Sequence, residues 1–177
     1  MTAPGWFKIG ISLRIRKLFF PFALLIAAIV GTTAHARTAS IVIDYETGRV
    51  LHAVNPDTRN YPASLTKMMT LYVAFDAMKS GKLKMAQELT VSPRAAAARP
   101  SKLGLQAGST ITLEEAVLAM VTKSANDAAV VVAEAIAGSE YKFSRLMTRK
   151  AHELGMTRSN FRNASGLSPD SRASGLR

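Results

Sequence analysis

The sequence has 177 residues, a formal net charge of +11 and no cysteine. That length suits one domain, and the lack of cysteine excludes a disulfide framework, a thiol nucleophile and a thiolate metal site. The basic balance suits a polyanionic partner. No arginine-rich run, aromatic-glycine stacking motif or finger-like ligand pattern accompanies it, so nucleic acid is not an expected partner.

Lys8, Arg14, Arg16 and Lys17 stand in residues 1–36 with no acidic residue among them, which leaves +7 for the remainder. They lead into the apolar run Leu18–Val30, then Gly31 and Ala34-His35-Ala36, an A-x-A cleavage pattern. Such a run makes about 20 Å of helix, short of a bilayer core of roughly 30 Å. This order predicts a secretory signal peptide over residues 1–36. The mature chain, 37–177, then begins at Arg37 and works in the periplasm or otherwise outside the cytoplasmic membrane. Membrane association would run only through an uncleaved N-terminus; a buried N-terminal helix is the remaining alternative. A domain of about 140 residues can bury roughly two thirds of its surface, enough to stand without disulfides.

Ser40–Asp44 and Val50–Val54 are short β-branched runs on either side of Tyr45-Glu46-Thr47-Gly48, a hairpin pattern. Asn55-Pro56-Asp57 ends the second strand with turn chemistry. From Ser64 to about Ser80, Leu65, Met68, Met69, Leu71, Tyr72, Val73, Phe75 and Met78 go all round a helix, which predicts burial on every side. Gly81 closes that helix. Residues 82–111 read as irregular, with one short strand at Leu89–Val91. Thr112-Leu113-Glu114-Glu115 is a capping box opening a helix that runs through Val121. Ser124-Ala125-Asn126 interrupts it. A second helix covers Asp127–Ala137 and ends at Gly138, and a third, amphipathic one covers Glu140–Leu154 and ends at Gly155. Asn160–Arg177 is polar and turn-rich. Strands followed mostly by helices predict an α+β fold.

Ser64-Leu65-Thr66-Lys67 sets a hydroxyl and an amine three residues apart on one helical face. A serine becomes a nucleophile when a base stands beside it, and a lysine serves if its pKa falls from about 10.4 towards 7. A buried first turn supplies that desolvation and also offers backbone N–H groups to an oxyanion. Spacing alone leaves two readings open for Ser64, nucleophile or helix N-cap. The same spacing recurs at Ser139-Glu140-Tyr141-Lys142, where Ser139 follows Gly138 and reads as an N-cap. Ser124 and Asn126 form a second polar group in a short inter-helix loop, able to point a hydroxyl and an amide the same way. His52 and His152 form no ligand cluster and read as structural, so no metal site is expected. Met68, Met69 and Met78 read as core packing, and Arg145, Arg149 and Lys150 as a solvated helix face.

Pro62-Ala63-Ser64-Leu65-Thr66-Lys67-Met68-Met69-Thr70, Ser124-Ala125-Asn126-Asp127-Ala128-Ala129 and Ala135-Ile136-Ala137-Gly138-Ser139 resemble the D-alanyl-D-alanine carboxypeptidase family, the low-molecular-mass penicillin-binding proteins. Leu154-Gly155-Met156-Thr157 and Asn163-Ala164-Ser165-Gly166-Leu167 extend the resemblance, which covers about Ala39–Leu167 in order. The resemblance implies a serine β-lactamase/penicillin-binding-protein-like α+β fold, with a helical part and an antiparallel sheet. It makes Ser64 the acylated nucleophile, Lys67 its general base and Ser124 a proton relay to the leaving D-alanine. Asn126 holds the substrate amide and orients Lys67. The implied reaction removes the terminal D-alanine of peptidoglycan stem peptides, with β-lactams as acylating mimics and no metal or organic cofactor.

The family pattern closes with a Lys-Thr-Gly strand, and no such triplet follows Asn126. After Leu167 the motif resemblance ends as well. The expectation is a C-terminally truncated catalytic domain without the later sheet strands, its unpaired edge prone to aggregation. Two other functions stay open: a catalytically inactive exported fragment that binds wall peptides, and another serine–lysine acyl enzyme such as a β-lactamase or esterase.

Overall fold

A computed structural model of the chain describes residues 39–167; the segment read as a signal peptide and the tail after Leu167 lie outside them. The chain divides into two units, Met1–Thr58 and Arg59–Arg177.

In the first unit, β1 (Ser40–Ile43) pairs antiparallel with β2 (Val50–Val54), as the β-branched runs predict, with a register shift between Val42 and Ile43. The turn is closed by Asp44, whose carbonyl accepts from Gly48 N at 2.9 Å and whose amide donates to Arg49 O at 2.8 Å. Ile41, Val42, Ile43, Val50 and Leu51 are all exposed. A two-stranded ribbon has no second layer of its own on which to bury them.

The second unit opens with a 3-10 turn, Ala63–Leu65, that runs directly into α1 (Thr66–Lys79). Then follow β3 (Glu88–Thr90), the short α2 (Pro93–Ala96), β4 (Thr110–Thr112), α3 (Leu113–Thr122), α4 (Asn126–Ala137) and α5 (Glu140–Glu153). Two of these elements correct the reading of 82–111 as irregular. One is β4, which pairs antiparallel with β3 and buries Leu89 against Ile111. The other is α2, started by Pro93 at its first turn and by Ser92, whose side chain accepts from Ala95 N at 3.0 Å. The capping box at Thr112 and Glu115 is present and opens α3.

The central helix is α4, which packs against α1, α2, α3, α5 and β3. Its run Ala128–Ala133 is buried throughout. Small and β-branched side chains let neighbours approach from every direction, so a helix apolar all round is an interior one. That property was expected of α1, and the structure corrects it. Leu65, Met68, Tyr72 and Phe75 recur at helical spacing along one exposed stripe, Met68 at 68% exposure. Met69 and Val73 are buried, so Met69 is core packing and Met68 is not. On α5 the apolar stripe Phe143, Met147 and Ala151 is fully buried. Burying Phe143 and Met147 contributes about 2 kcal/mol each. That outweighs the partly exposed Lys150–Asp76 ion pair between α5 and α1, a class of contact worth about 0–1 kcal/mol.

Candidate active site

Ser64 sits in the 3-10 turn, exposed, immediately before α1. It caps nothing, because the residues at the N-cap positions of the turn and of α1 are Pro62 and Leu65 and neither makes a side-chain cap. Of the two readings that spacing left open for Ser64, the cap is excluded. Ser139 caps α5 as expected, its hydroxyl accepting from Lys142 N at 3.3 Å. The residue before Ser64, Ala63, has φ +49, in the left-handed region that costs a side-chain-bearing residue roughly 1–2 kcal/mol.

Lys67 is one helical turn on and only 3% exposed. Its Nζ donates to Ser64 Oγ at 3.5 Å, to Ser124 Oγ at 3.2 Å and to the Ser165 carbonyl at 3.0 Å. Three acceptors match the three hydrogens of an ammonium. No carboxylate pairs with Lys67 among the described residues. Burial therefore acts unopposed by a counter-charge and pushes the Lys67 amine below its ordinary 10.5. The structure thus brings Ser64, Lys67 and Ser124 together across 57 residues of chain.

Ser124 lies in the break between α3 and α4 with φ +56. Strained backbone at a polar residue persists only where the surroundings hold it, and here the holding contacts are explicit. Ala125 N donates to Ala119 O at 3.1 Å and Asn126 N to Ser101 O at 2.8 Å. Ser101 Oγ donates to Lys123 O at 2.7 Å.

Asn126 is 3% exposed and its Nδ2 donates to the Arg99 carbonyl at 2.8 Å. No hydrogen bond joins it to Lys67 among the described residues. Among the described residues the Lys67 amine is held by Ser64, Ser124 and the Ser165 carbonyl. Asn126 instead ties the 99–105 loop to the start of α4. Its neighbour Asp127, fully buried, completes the tie by accepting from Leu103 N, Gly104 N and Leu105 N at 2.8–3.1 Å. Burial on its own raises the Asp127 carboxyl, but the amides of Leu103, Leu105, Gly104 and Ala128 together hold it below the usual range.

The Ser165 carbonyl is fixed by contacts that the sequence reading did not assign. Ala164 N donates to Glu140 Oε1 at 3.2 Å, and Thr70 Oγ1 donates to Ala164 O at 2.7 Å. Glu140 is gripped in turn by Arg94, whose Nε donates to Oε2 at 3.0 Å. Asn163 Oδ1 accepts from Ser165 N at 3.2 Å and Gly166 N at 2.6 Å. Gly166, at φ +81, passes so close to the 3-10 turn that carries Ser64 that a Cβ there would stand 1.8 Å from Ala63 O. The only sequence signal for this buttress was the Asn163–Leu167 segment, which carried no role.

A hydroxyl within reach of a buried, carboxylate-free lysine, with a second hydroxyl on the same amine, is equipped for acyl transfer through a serine. No group of three or more His, Asp or Glu side chains able to hold a metal occurs among the described residues.

Residues 27–177 match the family described as D-alanyl-D-alanine carboxypeptidase, so the match runs beyond Leu167, where the motif resemblance stops. The chain is 37% identical over 137 residues to D-alanyl-D-alanine carboxypeptidase DacF of Bacillus subtilis (strain 168), covering 77% of this chain and 35% of that protein. It is similar in structure to D-alanyl-D-alanine carboxypeptidase DacD of Francisella tularensis, with TM-score 0.71 and 36% identity over 73% of this chain and 32% of that one. It is also similar to penicillin-binding protein D2 of Listeria monocytogenes in its ampicillin-bound form, with TM-score 0.61 and 30% identity over 75% and 53% of the two chains. The chain spans about a third of the length of the curated relatives it matches. The α+β architecture with small antiparallel sheets is the penicillin-binding-protein, β-lactamase-like fold, and the chain belongs to the D-alanyl-D-alanine carboxypeptidase family of serine peptidases.

Proposed function

We propose that this chain is an exported serine-type D-Ala-D-Ala carboxypeptidase that removes the terminal D-alanine of peptidoglycan stem peptides through an acyl-serine intermediate. The observation that carries this reading is Lys67: 3% exposed, without a carboxylate partner among the described residues, and hydrogen-bonded to both Ser64 and Ser124. Ser64 Oγ attacks the penultimate D-alanine carbonyl while Lys67 accepts its proton. The peptide C–N bond breaks, and the proton passes from Lys67 through Ser124 to the departing D-alanine amine. Water then attacks the acyl carbon and gives a proton to the same lysine, which passes it to Ser64 Oγ as the ester C–O bond breaks and the stem peptide leaves as its carboxylate. Asn126 holds the substrate amide.

β-Lactams acylate Ser64 by the same attack on a strained ring, in keeping with the ampicillin-bound relative. Residues 1–36 act as the signal peptide and place the protein in the periplasm, and residues 37–177 form the catalytic part. N-terminal sequencing of exported material checks this; a start at Arg37 is expected, and a start at Met1 overturns it.

The test measures D-alanine release from a diacetyl-Lys-D-Ala-D-Ala peptide, alongside labelling by a fluorescent penicillin. Release and labelling that both vanish in Ser64→Ala support the carboxypeptidase. Peptide binding with neither places the chain among inactive wall-peptide binders, and rapid β-lactam hydrolysis places it among β-lactamases.

A further inference from the structure

The outer side of α5 read as a solvated basic face, yet the fold makes a cleft of it. Phe143, Met147 and Ala151 turn inward, which leaves Arg145, Arg149 and His152 together on the exposed side at helical spacing. The chain then returns along this side and is clamped to it. Phe161 N donates to Thr148 Oγ1 at 2.9 Å, and His152 Nε2 lies 3.1 Å from Ser159 O. The result is a cleft of about 510 Å³ between α5 and the 159–161 segment, walled by Asn160 and Phe161.

The clamp uses backbone groups, Thr148, the Asn160 Oδ1 that accepts from Thr148 Oγ1 at 3.4 Å and one histidine nitrogen, and it leaves both guanidinium groups free. Neither Arg145 nor Arg149 meets a carboxylate or a hydrogen-bond acceptor among the described residues. The one acid lining the cleft, Glu153, is already engaged by Lys150 at 2.9 Å. The two unpaired arginines are four residues apart, so their backbone origins stand about 6 Å from each other along the helix axis. Each fork presents paired donors that fit a carboxylate or a phosphate. Asn160 adds an amide and Phe161 an apolar wall.

We propose that this cleft binds a polyvalent oxyanion, a chain or small molecule carrying phosphate or carboxylate groups spaced to meet Arg145 and Arg149 together. The site is built from other residues than the Ser64–Lys67 centre and holds whether or not that centre turns over.

Calorimetric titration of the purified protein at low ionic strength tests the proposal, with inorganic triphosphate in one arm and a short polyglutamate in the other. Saturable binding in either arm is expected, and the tighter arm identifies phosphate or carboxylate as the natural group. The double variant Arg145→Gln/Arg149→Gln should weaken binding by about tenfold or more. Lys82→Gln/Lys84→Gln, which removes the same charge from exposed positions elsewhere, should change it by less than about twofold. Equal losses in the two charge variants, or no saturation in either arm by about 10 mM, overturn the proposal. All substituted side chains are exposed, and a thermal melt of each variant confirms that it is folded before titration.

Discussion

Ser-x-x-Lys occurs twice in this chain, at the entrance to α1 and at the entrance to α5. At Ser139–Lys142 the serine is spent on the helix, accepting from the Lys142 amide, and the lysine side chain is exposed. At Ser64–Lys67 the serine is displaced into a 3-10 turn, makes no cap and faces out, while the lysine points into a pocket with three oxygen acceptors. The sequence spacing is identical, so spacing is not what creates a nucleophile. The difference lies in where the lysine nitrogen goes and in what prevents the serine from capping. Both are set by distant parts of the chain, the α3–α4 break and the 163–166 segment.

The sharpest way to break this comparison is to delete each serine in turn. Ser64→Ala should abolish labelling by a fluorescent penicillin, whereas Ser139→Ala should leave it intact. Labelling that survives the first change would remove Ser64 from its role.

The next effect concerns the lysine. Lys67→Arg keeps a positive charge but no usable base, and acylation should fall by about 10²–10⁴. In the unaltered protein, burial holds the amine below 10.5, so the acylation rate should rise with pH along a limb centred below that value. The stability sign follows from the same shift. Between the folded and the unfolded pKa of Lys67 the unfolded chain binds more protons, so stability should rise with pH across that window. Lys67→Arg should flatten both profiles. An acylation limb that persists in that variant would show that another group is the base.

Gly166→Ala comes third and tests the buttress that keeps Ser64 from capping. Its Cβ would overlap Ala63 O, and its φ of +81 is unfavourable for alanine. A loss of about 3 kcal/mol or more is expected, read as a drop in thermal midpoint together with slowed labelling. Ser139 and its cap do not depend on this contact, so α5 helicity at low temperature should persist.

What could be read in the sequence and what could not follow one physical rule. The hairpin turn, the capping box at Thr112, the Ser139 cap and the helix ends at Gly138 and Gly155 are written in neighbouring residues, whose hydrogen bonds span five positions or fewer. The Ser64–Lys67 pair was visible for the same reason. The Ser165 carbonyl on Lys67 is separated from it by 98 positions, and a backbone oxygen carries no residue signature. The Asn126 amide goes to Arg99 O, a contact with a loop that has no periodic pattern to announce it. The exposed stripe of α1 was missed because an apolar composition states how greasy a helix is, not how many of its sides have neighbours.

Asp127 offers a fourth and smaller effect, on the loop that flanks Ser124. Its carboxylate accepts three backbone amides of residues 103–105. Asp127→Ala leaves those donors without their partner, at about 2–3 kcal/mol. The amides hold the carboxyl below its ordinary 3.8 in the folded protein. Its contribution is therefore complete above the unfolded value and is lost as pH falls through the lower folded one. Asp127→Asn should remove that acid-side dependence, as followed by urea unfolding between neutral pH and about pH 3. An unchanged acid limb would mean that other carboxylates govern it.

Ser139→Ala closes the comparison with the smallest change. Its hydroxyl satisfies one of the N–H groups that the first turn of α5 leaves without a helical partner. Deleting such a cap costs about 1 kcal/mol. The loss should appear in urea unfolding as a lower midpoint at constant slope, because the surface exposed on unfolding is unaltered. Ser139→Asp should restore it, since aspartate accepts the same bond and its charge favours a helix N-terminus. Lys142→Gln should do nothing measurable, for the bond at this site comes from the Lys142 backbone amide and not from its side chain. In the other pair the same lysine-to-glutamine change at Lys67 removes the amine that binds Ser64, Ser124 and Ser165. If Lys142→Gln proved as damaging as Lys67→Gln, the two pairs would be alike after all, and burial of the lysine would not be what separates them.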